Sequence, residues 1–125
     1  MDGVSRLIVN SKEILVVDYS NCRETEMIKR LTYAKELALA ENRPIRLLNV
    51  FNEKCFITPT FMRHAENIYT QARHLVERHA VIGLSTVQKM ILKGFNLFAD
   101  KKLHNFNTRE EAIDFLTKEN ELTLG

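Results

Sequence analysis

Two short apolar segments open the chain and indicate a β-hairpin. They span Ser5–Val9 and Ile14–Val17, and the polar residues Asn10–Lys12 between them are typical of a tight turn. The second segment is apolar at every position and ends at Asp18, a pattern that favours a central strand covered on both faces. The second strand of the hairpin is therefore predicted to lie inside a sheet.

The rest of the chain alternates between apolar runs and segments with the three- and four-residue spacing of amphipathic helices. The further strands are predicted at Ile45–Val50, Val81–Leu84 and Lys102–Phe106. The helices are predicted from about Glu24 to Asn42, from Thr58 to about His79, from Ser85 onward and from Thr108 onward. The Thr-Pro, Ser-x-x-Gln and Thr-x-x-Glu patterns at the last three starts are typical of helix caps.

The third helix is predicted to bury an apolar stripe against the sheet. The members of this stripe are Val87, Met90, Ile91, Phe95 and Phe98. Gly94 within the stripe is expected to permit close approach to the sheet. Leu92 and Leu97 fall off the stripe, and one or both are predicted to be exposed apolar contacts.

The element order is β-β-α-β-α-β-α-β-α, which predicts a single α/β domain over residues 1–125. Strands that alternate with helices pair in parallel through right-handed crossovers, and the hairpin adds one antiparallel pair. We therefore expect a mixed, mostly parallel sheet of about five strands with covering helices.

Composition narrows the functional classes. The chain has 125 residues and a formal net charge of +2, with basic residues dispersed among acids, so nucleic acid is not an expected partner. No apolar run approaches the roughly 20 residues of a membrane span, and the first residues do not resemble a signal peptide. Two cysteines suit a reducing compartment. A cytoplasmic protein is expected.

Polar residues follow the carboxyl ends of the predicted parallel strands, where open α/β sheets bind ligands and where helix N-termini point. We call this edge the C-terminal rim; it comprises residues 18–21, 52–60, 85–86 and 107–108. The rim residues predicted to contact a partner or ligand are Asp18, Ser20, Asn21, Asn52, Ser85 and Thr86. They are mostly hydroxyl and amide side chains, which also serve as caps and turn formers.

The element order and two segments resemble the STAS/SEC14-type proteins that are grouped with the sporulation anti-sigma-factor antagonist. The segments are VIGLSTVQKMILKGFNLFADKK and NFNTREEAIDFL. The resemblance covers nearly the whole chain and implies a STAS-like domain that binds protein partners, sometimes under control of phosphorylation. Distant relatives of the same fold hold lipids in an apolar pocket.

In the phosphorylated antagonists, the acceptor lies at the start of the helix after the third strand, in an Asp-Ser-Ser-Gly-like motif. The corresponding segment here, NEKCFITPTF, lacks the aspartate and the glycine. Its hydroxyls belong to Thr58 and Thr60, which the resemblance makes the hypothetical acceptors. Phosphate at a helix N-terminus is favoured electrostatically.

No catalytic, metal or cofactor motif is found in the sequence. His64, His74 and His79 lack the i, i+4 spacing of a zinc-binding helix and are expected to be surface or half-buried residues. Cys22 and Cys55 both follow strands and are expected to be free thiols. An enzyme is thus not expected.

Two hypotheses remain. The first is a non-catalytic regulatory module that binds a protein partner at the rim, near Thr58, Thr60, Ser85 and the third helix. The second is a binder of a small apolar molecule or lipid, in a pocket lined by Phe51, Phe56, Ile57, Phe61 and Phe95. Side chains of this kind more often complete an ordinary core. A homodimer is compatible with either hypothesis.

Overall fold

The computed structural model describes residues 2–96 and 103–118. The strands are β1 (Val4–Val9), β2 (Lys12–Asp18), β3 (Ile45–Val50), β4 (Val76–Ile82) and β5 (His104–Phe106). The helices are α1 (Glu24–Glu41), α2 (Pro59–Ala72), α3 (Thr86–Asn96) and α4 (Arg109–Leu116), and a 3₁₀ turn follows α2 at Arg73–Leu75. This order confirms the predicted one.

The strands form one sheet in the order β1-β2-β3-β4-β5. The hairpin β1–β2 is antiparallel, and β2, β3, β4 and β5 are paired in parallel. In the parallel part, Asp18 lies opposite Val50, and Val50 lies opposite Ile82. The carboxyl ends of β2, β3 and β4 therefore meet at one edge, which is the C-terminal rim.

The two faces of the sheet carry separate cores because successive strand side chains point to opposite faces. One face bears Leu15, Val17, Leu47 and Val81, which pack with residues of α1 and α2 such as Met27. The other face packs against α4. Its buried members are Ile14, Val16, Leu48, Ala80, Ile82, Ala112 and Leu116. We call the first of these the open face, because a cavity lies between it and its helices, and the second the closed face.

The second helix is shorter than predicted, and the strand after it is longer. The sequence predicted a helix to about His79, whereas α2 ends at Ala72 and β4 begins at Val76. Neither glycine nor proline marks this boundary in the sequence. The residues of β4 instead pair with the whole length of β3, so tertiary pairing overrides the helical spacing. His79 consequently lies on a central strand.

The third helix shows a different face from the predicted one. Val87 and Met90 are 68% and 69% exposed, whereas Gln88 is buried. A Cβ atom at Gly94 would meet no other atom within 4 Å, so this glycine does not serve close approach to the sheet. The predicted stripe is therefore wrong at Val87 and Met90. The side chains of Leu92 and Phe95, and residues Leu97 and Phe98, lie outside the described part.

The helix N-terminal caps follow the sequence closely. The Thr58 hydroxyl accepts a hydrogen bond from the Phe61 N–H at 3.0 Å, and Thr108 caps Glu111 in the same way at 3.1 Å. At Ser85 and Gln88 the capping box is reciprocal. Across the described ranges, none of the helices is both long enough and apolar enough to span a bilayer.

Candidate functional site

The predicted rim residues come together, and hydrogen bonds join them. The Asn21 N–H donates to Asn52 Oδ1 at 3.0 Å, and Asn52 Nδ2 donates back to Asn21 Oδ1 at 2.9 Å. The amide of Gln88 donates to the Asn52 carbonyl at 3.2 Å, and its oxygen accepts from the Ser85 N–H. The loops after β2, β3 and β4 are thus held together by amide side chains.

The remaining rim residues have more local roles. Asp18 Oδ1 accepts from the Ser20 N–H at 2.9 Å, so this aspartate stabilises its own turn. Thr86 is exposed at the first position of α3. Leu92 belongs to α3, but its side chain lies outside the described part.

A close backbone approach fixes the shape of the rim. Gly83 has φ of +86°, and a Cβ atom there would lie 1.8 Å from the Phe51 carbonyl oxygen. Only glycine fits such a position without displacement of the backbone. Next to it lies an open cleft lined by Asn21, Asn52 and Ser85; the two asparagines bond to each other, and Ser85 bonds to Gln88.

The two hypothetical phosphoacceptors differ in availability. The Thr58 hydroxyl caps α2 and also donates to Glu24 Oε1 at 2.7 Å, so both of its hydrogen-bonding roles are occupied. A phosphate at Thr58 would abolish the cap and stand beside the Glu24 carboxylate. Thr60 is exposed in the first turn of α2 and lies 3.4 Å from the Arg63 guanidinium. The geometry therefore favours Thr60 over Thr58.

Beneath the rim, a cavity of about 110 Å³ lies between the open face of the sheet and the helices. Its walls are almost entirely apolar. They include Leu15, Val17, Leu47, Phe51, Ile57, Phe61, Met62, Ala65, Ile68 and Val81. Of the five residues predicted to line a pocket, Phe51, Ile57 and Phe61 do so, whereas Phe56 is 51% exposed and the side chain of Phe95 is outside the described part.

Two buried polar side chains also line this cavity. Asn49 and His79 are 8% and 5% exposed, and Asn49 Nδ2 lies 2.6 Å from His79 Nε2. Within residues 2–96 and 103–118, Asn49 Oδ1 and His79 Nδ1 have no hydrogen-bond partner. Buried polar atoms are nearly always hydrogen-bonded, so two unpartnered atoms beside a cavity need an explanation.

The imidazole of His79 is neutral at physiological pH. Burial, and to a smaller extent the positive charge that His104 can carry, lower its pKa to about 3. The Tyr69 ring stacks on the imidazole with a centroid distance of 5.6 Å, which fixes the plane of the ring. His79 is therefore a hydrogen-bonding group here, in contrast to the surface or half-buried residue that the sequence predicted.

Groups suited to nucleophilic or metal chemistry are not assembled in the part of the chain that the structure describes. The thiols of Cys22 and Cys55 are buried and free, and burial raises the pKa of the Cys22 thiol. Burial likewise raises the pKa of Tyr19, whose ring stacks on Phe51. Among the described residues, no group of three or more His, Cys, Asp or Glu side chains could hold a metal ion.

Sequence reasoning missed the Asn49–His79 pair. One available signal was Asn49 itself, the one amide in the mostly apolar segment IRLLNVF from Ile45 to Phe51. The other was the strand predicted at Val81, because its extension back to Val76 places His79 on the same face as Val81. Both signals point to the same face of the sheet only once the register of β3 and β4 is known.

The comparisons with known proteins bear on the fold. No protein-family model matches the sequence, and no curated protein matches it. Among solved structures, the chain is similar to an uncharacterised DUF3478-family protein from Shewanella loihica PV-4 with a SpoIIAA-like fold. The match has a TM-score of 0.59, covers 90% of this chain and 91% of the other, and has 17% sequence identity. It confirms the predicted STAS-like α/β fold and, at this identity, shows the fold alone.

Proposed function

We propose that the protein acts by binding rather than by catalysis, and that it binds a small, largely apolar molecule in the cavity on the open face. The observation that carries this proposal is an apolar cavity with two unpartnered polar atoms at its wall. This observation supports the second of the two sequence-based hypotheses, a binder of a small apolar molecule. Two free, buried thiols suit a cytoplasmic location for this function.

The volume of the cavity limits the size of the ligand. An engineered cavity of about 150 Å³ binds benzene, so about 110 Å³ suits a single small ring or a short branched chain. Pockets for larger ligands typically hold about 300–1,000 Å³. The cavity therefore supports a small apolar ligand and gives no support to a phospholipid.

A titration with toluene tests the proposal. We expect saturable binding with a dissociation constant of about 1 mM or tighter. This value follows from the free energy gained when a seven-carbon molecule is transferred out of water. In ¹⁵N–¹H spectra, the shifts should concentrate at residues that line the cavity, such as Leu47 and Ile68. Native mass spectrometry of the freshly purified protein would show whether a small molecule is retained.

Two matched alanine substitutions provide the controls. Ala65→Leu places a larger side chain at the cavity wall and should abolish toluene binding. Ala40→Leu makes the same change at an exposed position of α1 outside the cavity and should leave binding unchanged. Equal binding by the two variants, or no saturable binding by the wild type, would contradict the proposal.

A second candidate function is the regulatory protein contact of the anti-sigma-factor-antagonist type that the resemblance implies. The observation in its favour is the exposed apolar pair Val87 and Met90 on α3, immediately beside the rim residue Ser85. A partner that covers this pair would remove two large side chains from water. Thr60 is then the hydroxyl best placed for control by phosphorylation.

Cross-linking of partners in cell extract tests this second function. A protein captured by the wild type should be lost with Val87→Ser plus Met90→Ser. It should persist with Ile8→Ser, since Ile8 is 69% exposed on the edge strand β1. Thr60→Asp should alter capture, whereas Thr70→Asp, also exposed on α2, should not. Identical partner sets for all variants would count against this surface.

A further inference from the structure

From the Asn49–His79 pair, we infer that the ligand is an uncharged molecule with a small apolar body and one hydroxyl group. This inference rests on the proposed function and adds the chemical class of the ligand. The pair is formed by neighbouring strands, since Leu47 lies opposite His79 and Asn49 lies opposite Val81 in the β3–β4 register. The two side chains are therefore diagonal neighbours on the open face.

The other polar groups at the cavity wall have partners. The Gln88 amide bonds to the Ser85 N–H and to the Asn52 carbonyl. The Lys35 ammonium bonds to the Gln71 side chain at 3.4 Å. Asn49 Oδ1 and His79 Nδ1 are thus the wall atoms whose hydrogen-bonding capacity remains unused within the described ranges.

These two atoms offer one donor and one acceptor in either arrangement of the pair. If the Asn49 amide donates to Nε2, then Nδ1 of the neutral imidazole carries the proton and Asn49 Oδ1 is left as an acceptor. If the amide is reversed, an amide N–H is left as the donor and Nδ1 as the acceptor. A hydroxyl group donates one hydrogen bond and accepts another, so it complements the pair in both cases.

The Asn49–His79 pair carries no charge and therefore favours an uncharged hydroxyl over an acidic or basic group. A carboxylate or an ammonium ion in an apolar cavity needs a counter-charge. Lys35 is the one charged residue among the described cavity-lining residues, and it is bonded to Gln71. His79 stays neutral because burial lowers its pKa to about 3.

Phenol and toluene test the inference because they differ only by a hydroxyl in place of a methyl group. A purely apolar cavity would prefer toluene, which leaves water more readily. We expect the wild type to bind phenol at least as tightly as toluene. In the Asn49→Leu plus His79→Phe variant, the preference for phenol over toluene should fall about tenfold or more, because two hydrogen bonds are lost.

The matched control is His64→Phe, which removes an exposed histidine from α2 and should keep the wild-type preference. A second measurement needs no variant that alters the core. In ¹⁵N-histidine-labelled wild type, phenol should shift the ring nitrogens of His79, whereas toluene should leave them nearly unchanged.

The outcomes separate the two proposals. If neither probe binds, the proposed function fails and this inference fails with it. If toluene binds and the phenol-to-toluene ratio is the same in wild type and double variant, the inference fails while the proposed function stands. Phenol binding without a shift of the His79 nitrogens would also overturn the inference.

Discussion

The most deeply buried polar side chains of the two faces differ in their hydrogen bonding. On the closed face, Arg46 is 6% exposed, and its guanidinium donates to the carbonyls of Leu116 and Lys118 at 2.5 and 2.8 Å. On the open face, Asn49 and His79 are equally buried, yet each keeps an atom without a partner in the described residues. A buried polar group that is fully bonded holds the fold together. Unpartnered polar atoms at the wall of a cavity, as at Asn49 and His79, are candidates for ligand binding.

The covering helices explain the difference. On the closed face, α4 is short and brings the small Ala112 and the larger Leu116 against the strands, and both are fully buried. Arg46 then ties the end of α4 to the sheet. On the open face, the longer helices α1 and α2 leave the cavity of about 110 Å³ between their side chains and the strands. The name of each face follows from this difference.

Alanine substitutions at two adjacent leucines of β3, one on each face, allow a direct comparison. They should give the largest change in the free energy of unfolding. Leu48 is fully buried on the closed face, whereas Leu47 lines the cavity. Leu48→Ala should reduce the free energy of unfolding by about 3–4 kcal/mol, because contacts on all sides are lost and a new void forms. Leu47→Ala should cost about 2 kcal/mol, since part of its surface already faces a void.

Urea denaturation of the two variants measures this difference. Both substitutions remove the same atoms from neighbouring residues of one strand, so each serves as the control for the other. Equal losses of stability would mean that the open face is as tightly filled in solution as the closed face. That result would weaken the cavity as a ligand site.

The fold could be predicted from the sequence because it depends on local signals. The all-apolar run that ends at Asp18 indicated a central strand, and the caps at Thr58, Ser85 and Thr108 marked three helix starts. The C-terminal rim followed from those boundaries, since parallel strands end at one edge. Each of these inferences needed only a few neighbouring residues.

The cavity and its polar pair could not be predicted in the same way. They depend on the register that brings His79 beside Asn49, on neighbouring strands. Helical spacing continued past Ala72 in the sequence, so His79 was assigned to a helix. On α3, the apolar residues Val87 and Met90 suggested a buried stripe, whereas the capping box turns Gln88 inward. Both errors arose where tertiary contacts overrode periodicity.

The next largest effect is expected from acid, because His79 on the open face should make the free energy of unfolding depend on pH. Its pKa is about 3 in the folded protein, because of burial, and 6.5 is the reference value when it is exposed. Below pH 6.5 the unfolded chain therefore binds a proton that the folded protein does not, so stability falls as pH falls toward 3. Between pH 7.5 and pH 5, this term should remove about 2 kcal/mol.

The His79→Phe variant isolates this term. Its unfolding free energy should fall less between pH 7.5 and pH 5 than that of the wild type, by about 2 kcal/mol. Carboxylates such as Glu13, whose pKa is lowered chiefly by its hydrogen bond to Arg6, contribute equally to both proteins. His64→Phe is the control and should keep the wild-type pH dependence. A parallel dependence in all three proteins would contradict a neutral, buried His79.

Enlarging one alanine on each face should give effects of opposite sign, and the effect on the open face should be the smallest of all. Ala112 is fully buried on the closed face, so Ala112→Leu should destabilise the protein by about 1–3 kcal/mol through overpacking. Ala65 lines the cavity, so Ala65→Leu should stabilise it by about 1 kcal/mol through added apolar burial. Thermal unfolding of both variants and of Ala40→Leu measures the signs. Destabilisation by Ala65→Leu would mean that the cavity is filled when the protein is free of ligand, because a filled space cannot accept a larger side chain without strain.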